Sequence, residues 1–160
     1  MKKLVLIVAL VITLLMASCT EETVIRCWMD PSFSLIERNQ LRIAAEAWNQ
    51  ITTKQFELTD DEDDECHILI VAAQSIPTAP PNCEPGVTCP DGAQTGNVLR
   101  LRYGMTTPRF LTTAKHELGH RLGLRHHSSP GIMNPYGSEN DDPNFTTADI
   151  AECKRVGACY

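Results

Sequence analysis

The chain has 160 residues, with 14 Lys and Arg against 20 Asp and Glu, 42% hydrophobic residues and seven cysteines. That length holds one ordinary domain, and the hydrophobic content excludes wholesale disorder. A net charge of −6 argues against a nucleic-acid binder, which needs a basic surface, and seven cysteines are too many for a typical cytosolic protein.

Residues 1–18 read as a signal segment. Lys2 and Lys3 precede an apolar run from Leu4 to Leu15, broken only by Thr13. A membrane-spanning helix needs roughly 18–20 such residues, so this run is too short to span. It ends in Met16-Ala17-Ser18-Cys19, which resembles a bacterial lipobox, with Met16 where that motif usually has Leu, Val or Ile. The resemblance implies lipid on Cys19, a tether over 19–23 and a folded domain over 24–160. The domain would then be held on a bacterial membrane, outer membrane or cell surface, with plain secretion as the alternative. Lipidation of Cys19 leaves six cysteines, an even number suited to three disulfides. Loss of the leader removes Lys2 and Lys3 and no acid, which takes the charge from −6 to −8.

Val24–Met29 suits a strand, stopped by Asp30-Pro31. Ser34 to Thr52 suits a helix whose Ile36, Leu41, Ala44, Ala45, Trp48 and Ile51 recur near the spacing of one buried face. Phe56 and Leu58 alternate with polar neighbours as in a second strand, and six acids follow over Asp60–Glu65. The unbroken apolar run Ile68–Ala73 predicts a buried, parallel strand. Residues 75–96 read as loop. Val98–Tyr103 alternates as a strand with one wet face, Thr112 or Thr113 can cap a helix reaching about Leu122, and Thr146 opens a last helix to about Val156 with Asp149 at capping-box spacing. The order of elements implies an α/β layered fold.

The chemistry concentrates in His116-Glu117-Leu118-Gly119-His120-Arg121-Leu122-Gly123-Leu124-Arg125-His126. Residues four apart share a helix face, so His116 and His120 can present two imidazoles to one metal ion. Glu117 lies about 100° around the helix from His116, beside the metal rather than on it. Gly123 can take the left-handed conformation that ends a helix, and His126 then returns as a third ligand. Three neutral nitrogens leave tetrahedral zinc one open position for a water, whose proton Glu117 can take. Five prescribed residues at this spacing arise by chance in roughly one chain in 10⁵.

The string resembles the extended zinc-binding motif of the metzincin metallopeptidases, and Gly131-Ile132-Met133-Asn134-Pro135 resembles their Met-turn. Within that clan the chain is most similar to matrixin catalytic domains, through Ala44-Ala45-Glu46-Ala47-Trp48-Asn49, Ile68-Leu69-Ile70 and Thr146-Thr147-Ala148-Asp149-Ile150. The resemblance implies an α/β (α+β layered) metzincin-type zincin fold: a mixed twisted sheet, two long helices and a C-terminal helix. It implies one catalytic zinc on His116, His120 and His126, Glu117 as the catalytic base, and Met133 as an apolar floor under the histidines. Pro135 and Tyr136 become substrate-pocket candidates, although Tyr136 stands at a spacing that fits neither astacin-like nor matrixin enzymes. The second, structural zinc of matrixins is not expected, because His67 and His127 are the only other histidines. His127 reads as a surface residue or one behind the ligands, and His67 as structural.

Among the cysteines, Cys83 and Cys89 flank a short loop, Cys153 and Cys159 bracket the last helix end near Gly157, and Cys27 and Cys66 are left to staple neighbouring strands. Six cysteines allow fifteen pairings. The rival role for Cys27 is a latency thiol on zinc, as in matrixin propeptides, but seven residues between Cys19 and Cys27 leave no propeptide to carry it. Asp60–Glu65 offers carboxylates for calcium, yet it lacks the spacing of a known calcium loop and suits a solvated loop better. The expected activity is hydrolysis of protein or peptide substrates by a monomer, with no nucleic-acid partner, along an extended-substrate edge at Val98–Tyr103. The alternatives are a catalytically silent zinc-containing binding lipoprotein and a hydrolase of cell-wall peptide cross-links.

Overall fold

The computed structural model describes residues 23–61, 66–73, 92–135 and 143–160. Cys19, Cys83, Cys89, Tyr136 and acids 62–65 lie outside them. Strands β1 (Val24–Met29), β2 (Gln55–Thr59), β3 (Ile68–Ala73), β4 (Gly92–Thr95) and β5 (Val98–Arg102) form a five-stranded sheet in the order β2-β1-β3-β5-β4. All neighbours are parallel except β4, which runs antiparallel to β5. Helices α1 (Leu35–Asn49), α2 (Thr107–Arg121) and α3 (Thr147–Arg155) complete the described fold.

The period-two side-chain alternation of strands sends Cys27, Met29, Ile68, Ile70, Leu99 and Leu101 into one core. Phe33 and Phe110 meet edge to face in that core, with ring centroids 5.8 Å apart. Helix α1 contributes Leu41, Ala44, Ala45 and Trp48, the expected stripe. Ile36 falls outside it and is 64% exposed. Five residues before Leu41 it is rotated well away from the buried face. Ser34 caps α1 in a reciprocal box with Glu37, and Asn49 ends it by bonding both the N–H and the carbonyl of Phe56.

Two elements differ from the sequence reading. Strand β4 lies inside the stretch read as loop, and it makes β5 an interior strand. Among the described residues the edge strand beside α2 is therefore β4, and the Val98–Tyr103 edge is corrected to Gly92–Thr95. Helix α2 starts at Thr107 behind Thr106, with a proline in its first turn, so Thr112 is a buried mid-helix residue rather than a cap.

The cysteines divide. Cys153 and Cys159 form a disulfide. Beside it Ala158 N–H donates to the Cys153 carbonyl, and the tail pairs with the end of α1 through Thr53 N–H to Ala158 O and Tyr160 N–H to Ile51 O. Cys27 and Cys66 are not joined; both remain thiols. Parallel pairing sets Cys27 opposite Ile68, so continuing that register places Cys66 beside Ile25, two residues off. Diagonal neighbours of that kind stand about 7–8 Å apart, too far for a disulfide. Cys27 is also fully buried within the sheet face, and burial pushes its thiol up to about 12. Among the described residues the donors that converge on one point are His116, His120 and His126, without Cys27, which gives the latency role no support.

Candidate metal centre

Helix α2 carries His116 and His120 one turn apart. Leu122 closes the helix, and Gly123 takes φ +91°, so that Leu124 N–H turns back onto the Gly119 carbonyl at 3.1 Å. An L residue with a side chain rarely adopts that conformation, which accounts for the glycine the motif requires. The reversal brings His126 against the other two imidazoles. The three Nε2 atoms lie 3.0, 3.0 and 3.1 Å from one another.

The rings are aimed by backbone carbonyls. His116 Nδ1 faces Ile132 O at 2.6 Å, and His120 Nδ1 faces Leu124 O at 2.9 Å. A carbonyl only accepts, so each Nδ1 carries the hydrogen and each Nε2 presents a lone pair. Lone pairs converging at about 3 Å repel unless a cation sits among them. A point about 2 Å from all three lies on the axis of their triangle, the distance zinc takes to imidazole. The donor set therefore fits zinc. Burial first, then the neighbouring histidines, lowers His116 to about 4. Burial, with His120 and His127 nearby, also lowers His126. Both rings are thus neutral and available to a metal at neutral pH.

Glu117 follows His116 and is 5% exposed. Burial raises its carboxyl to about 7, as suits a group that takes and returns a proton near neutrality. Gly92, the first residue of the edge strand β4, lies against it: a Cβ there would stand 2.6 Å from Glu117 Cγ and Oε1. The carboxylate, one residue along the helix from His116, thus lies against the sheet edge.

Met133 is fully buried beneath α2, where a Cβ on Gly119 would come within 2.6 Å of its sulfur and 3.0 Å of Trp48. The glycine inside the histidine motif is what lets Met133 and Trp48 approach the helix. Trp48 in turn donates to the Lys115 carbonyl and meets Phe145 at a 48° tilt, with ring centroids 4.3 Å apart. Lys115, buried, donates to Pro143 O at 2.6 Å. Pro135 ends the Met-turn segment as an exposed residue.

The sequence reading did not anticipate how the Met-turn is held. Asp149, read only as a cap, is fully buried. It accepts from Ile132 N–H at 3.0 Å, from Met133 N–H at 2.8 Å and from the N–H and hydroxyl of Thr146, both at 2.8 Å. Burial alone would raise its carboxyl, but these hydrogen bonds outweigh it and hold the group below its ordinary value. His127 Nε2 reaches the same carboxylate at 2.9 Å, so it stands behind the ligands rather than on the surface. The capping-box spacing was the available signal; the reach to residues 132 and 133 was not. His67 is structural: its Nδ1 accepts from Arg26 N–H. Asp60, at the head of the acidic run, pairs with Arg38 and Arg42, and the calcium expectation falls on acids 62–65, outside the described residues.

A family model for matrixins matches residues 43–156. The chain belongs to the matrixin family. Its sheet and three helices are the α/β layered fold that membership implies, and matrixins use zinc. Matrilysin of Felis catus, another similar protein, is 46% identical over 50 residues, which cover 29% of this matrixin and 19% of the relative. The matched stretch is thus less than a fifth of that protein's length.

Proposed function

We propose that this matrixin is a zinc-dependent endopeptidase that cleaves proteins outside the cytoplasm. The observation that carries the reading is the convergence of three Nε2 atoms within 3.1 Å of one another, with the buried Glu117 beside them. His116, His120 and His126 would hold the ion. When bound, zinc supplies Lewis acidity toward the scissile carbonyl and toward water. Glu117 takes a proton from the attacking water and passes it to the amine nitrogen as the peptide bond breaks. Ile132 O and Leu124 O keep two ligand rings in the tautomer that leaves Nε2 free. Met133 fills the floor below them. An extended peptide adding to the free edge of β4 would run past Gly92, within reach of Glu117.

The test is hydrolysis of a peptide library. Chelator-stripped protein should be inactive and regain internal cleavage when zinc is restored. Zinc-loaded protein that cleaves no peptide in a diverse library overturns the reading.

Residues 1–18 are assigned as a leader, Cys19 as the lipidated residue, 19–23 as the tether and 24–160 as the enzyme domain. The support is the Met16-Ala17-Ser18-Cys19 string after a twelve-residue apolar run. Expressed in a bacterium, the chain should partition with membranes, and Cys19→Ala should release it. Equal partitioning of the two forms sinks the lipid assignment.

A further inference from the structure

The three ligands are not held alike. His116 and His120 each bond a backbone carbonyl through Nδ1. Nδ1 of His126 meets no hydrogen-bond partner among the described residues, and His126 is the exposed member of the three. A ring without an orienting partner costs affinity when it is immobilised on a metal. Its placement must come from the backbone on either side of it.

Both flanking residues are tied to α3. Arg125 N–H donates to Glu152 Oε1 at 3.0 Å. His127 N–H donates to Met133 O at 3.2 Å, and its ring reaches Asp149 Oδ1 at 2.9 Å. Asp149 and Glu152 are three residues apart, so they share one face of α3. Glu152 is itself fixed by two contacts from Arg155, each at 2.6 Å. The second ring nitrogen of His127 faces Ser129 O at 3.0 Å, which leaves the ring little freedom. The disulfide Cys153–Cys159 lies on the same helix and anchors its end.

We infer that Glu152 and His127 are positioning residues for zinc: through Arg125 N–H and Asp149 they fix the backbone on both sides of His126 and so place the third ligand. The inference rests on the reading of His116, His120 and His126 as zinc ligands. Glu152 acts through a backbone amide, so any side chain with an acceptor at the same reach preserves its effect. His127 acts through Nε2, whose position a glutamine amide nitrogen reproduces.

The experiment measures zinc affinity by chelator competition, the visible spectrum of the Co²⁺ form, and the Tm of the zinc-free protein. Glu152→Ala and His127→Ala should each weaken zinc about 10–100-fold and alter the Co²⁺ spectrum. Glu152→Gln and His127→Gln should keep affinity near that of the parent. The inference is overturned if the alanine variants bind zinc within about threefold of the parent. It is equally overturned if the glutamine variants fail to rescue while zinc-free Tm falls in step with affinity, since that marks a merely structural role. Peptide cleavage does not enter these readouts. A parent that binds zinc and follows this pattern without cleaving peptides refutes only the endopeptidase reading, whereas a parent that binds no zinc removes both.

Discussion

Glu117→Gln should lower kcat/KM for peptide cleavage by about 10²–10⁴, the range supplied by a positioned general base, or about 3–5 kcal/mol of barrier. Zinc affinity should stay near that of the parent, because Glu117 is not one of the three converging donors. The substitution keeps the shape and removes the ability to take a proton, so the loss should fall on kcat rather than KM. Folding is not endangered. Glu117 is 5% exposed and its carboxyl is raised by burial, with no ion pair among the described residues to offset the cost of charging it. A neutral amide at that site relieves the cost, and the zinc-free Tm should hold or rise. Stopped activity with intact zinc binding and an undiminished Tm is the expected result. Cleavage within tenfold of the parent would show that another group handles the proton.

The parts legible in sequence are those set by local spacing. His116 and His120 four apart, the glycine that ends the helix and the returning His126 describe a ligand set before any fold is known, because helix geometry alone brings them together. Ile68–Ala73 was legible as a parallel strand from its unbroken apolar run, but only Ile68 and Ile70 are buried and the other four residues are half-buried. Strand β4 was not. Gly92-Ala-Gln-Thr95 has neither β-branched alternation nor apolar weight, and what makes it a strand is pairing with β5. Missing it moved the free edge one strand inward and left Gly92 unconnected to Glu117. The Cys27–Cys66 pairing failed for a related reason: the register of two strands far apart in sequence decides whether two cysteines face each other or stand diagonally. Asp149 was legible as a cap through its spacing from Thr146. Its grip on Ile132 and Met133 crosses seventeen and sixteen residues through a turn, and no local pattern encodes that distance.

Asp149→Asn should cost about 2–5 kcal/mol of stability at neutral pH, a large share of the 5–15 kcal/mol typical of a domain. One oxygen accepts from Met133 N–H and His127, the other from Ile132 N–H and Thr146. Replacing either oxygen by NH₂ sets a donor against buried N–H groups that have no other acceptor among the described residues. The cost should depend on pH with a definite sign. The hydrogen bonds hold the folded Asp149 carboxyl below its ordinary value of 3.8, so the stability it contributes is present above that value and is lost as pH falls through the lower folded pKa. Denaturant unfolding of the zinc-free parent and variant should therefore differ fully at pH 7, and the difference should shrink as pH falls below 3.8. Because Ile132 also supplies the carbonyl that aims His116, the variant should bind zinc more weakly at every pH where it is folded. A stability difference that stays constant as pH falls well below 3.8 would mean the carboxylate charge contributes nothing, and the Met-turn would then be held by its packing on Gly119 and Trp48 alone.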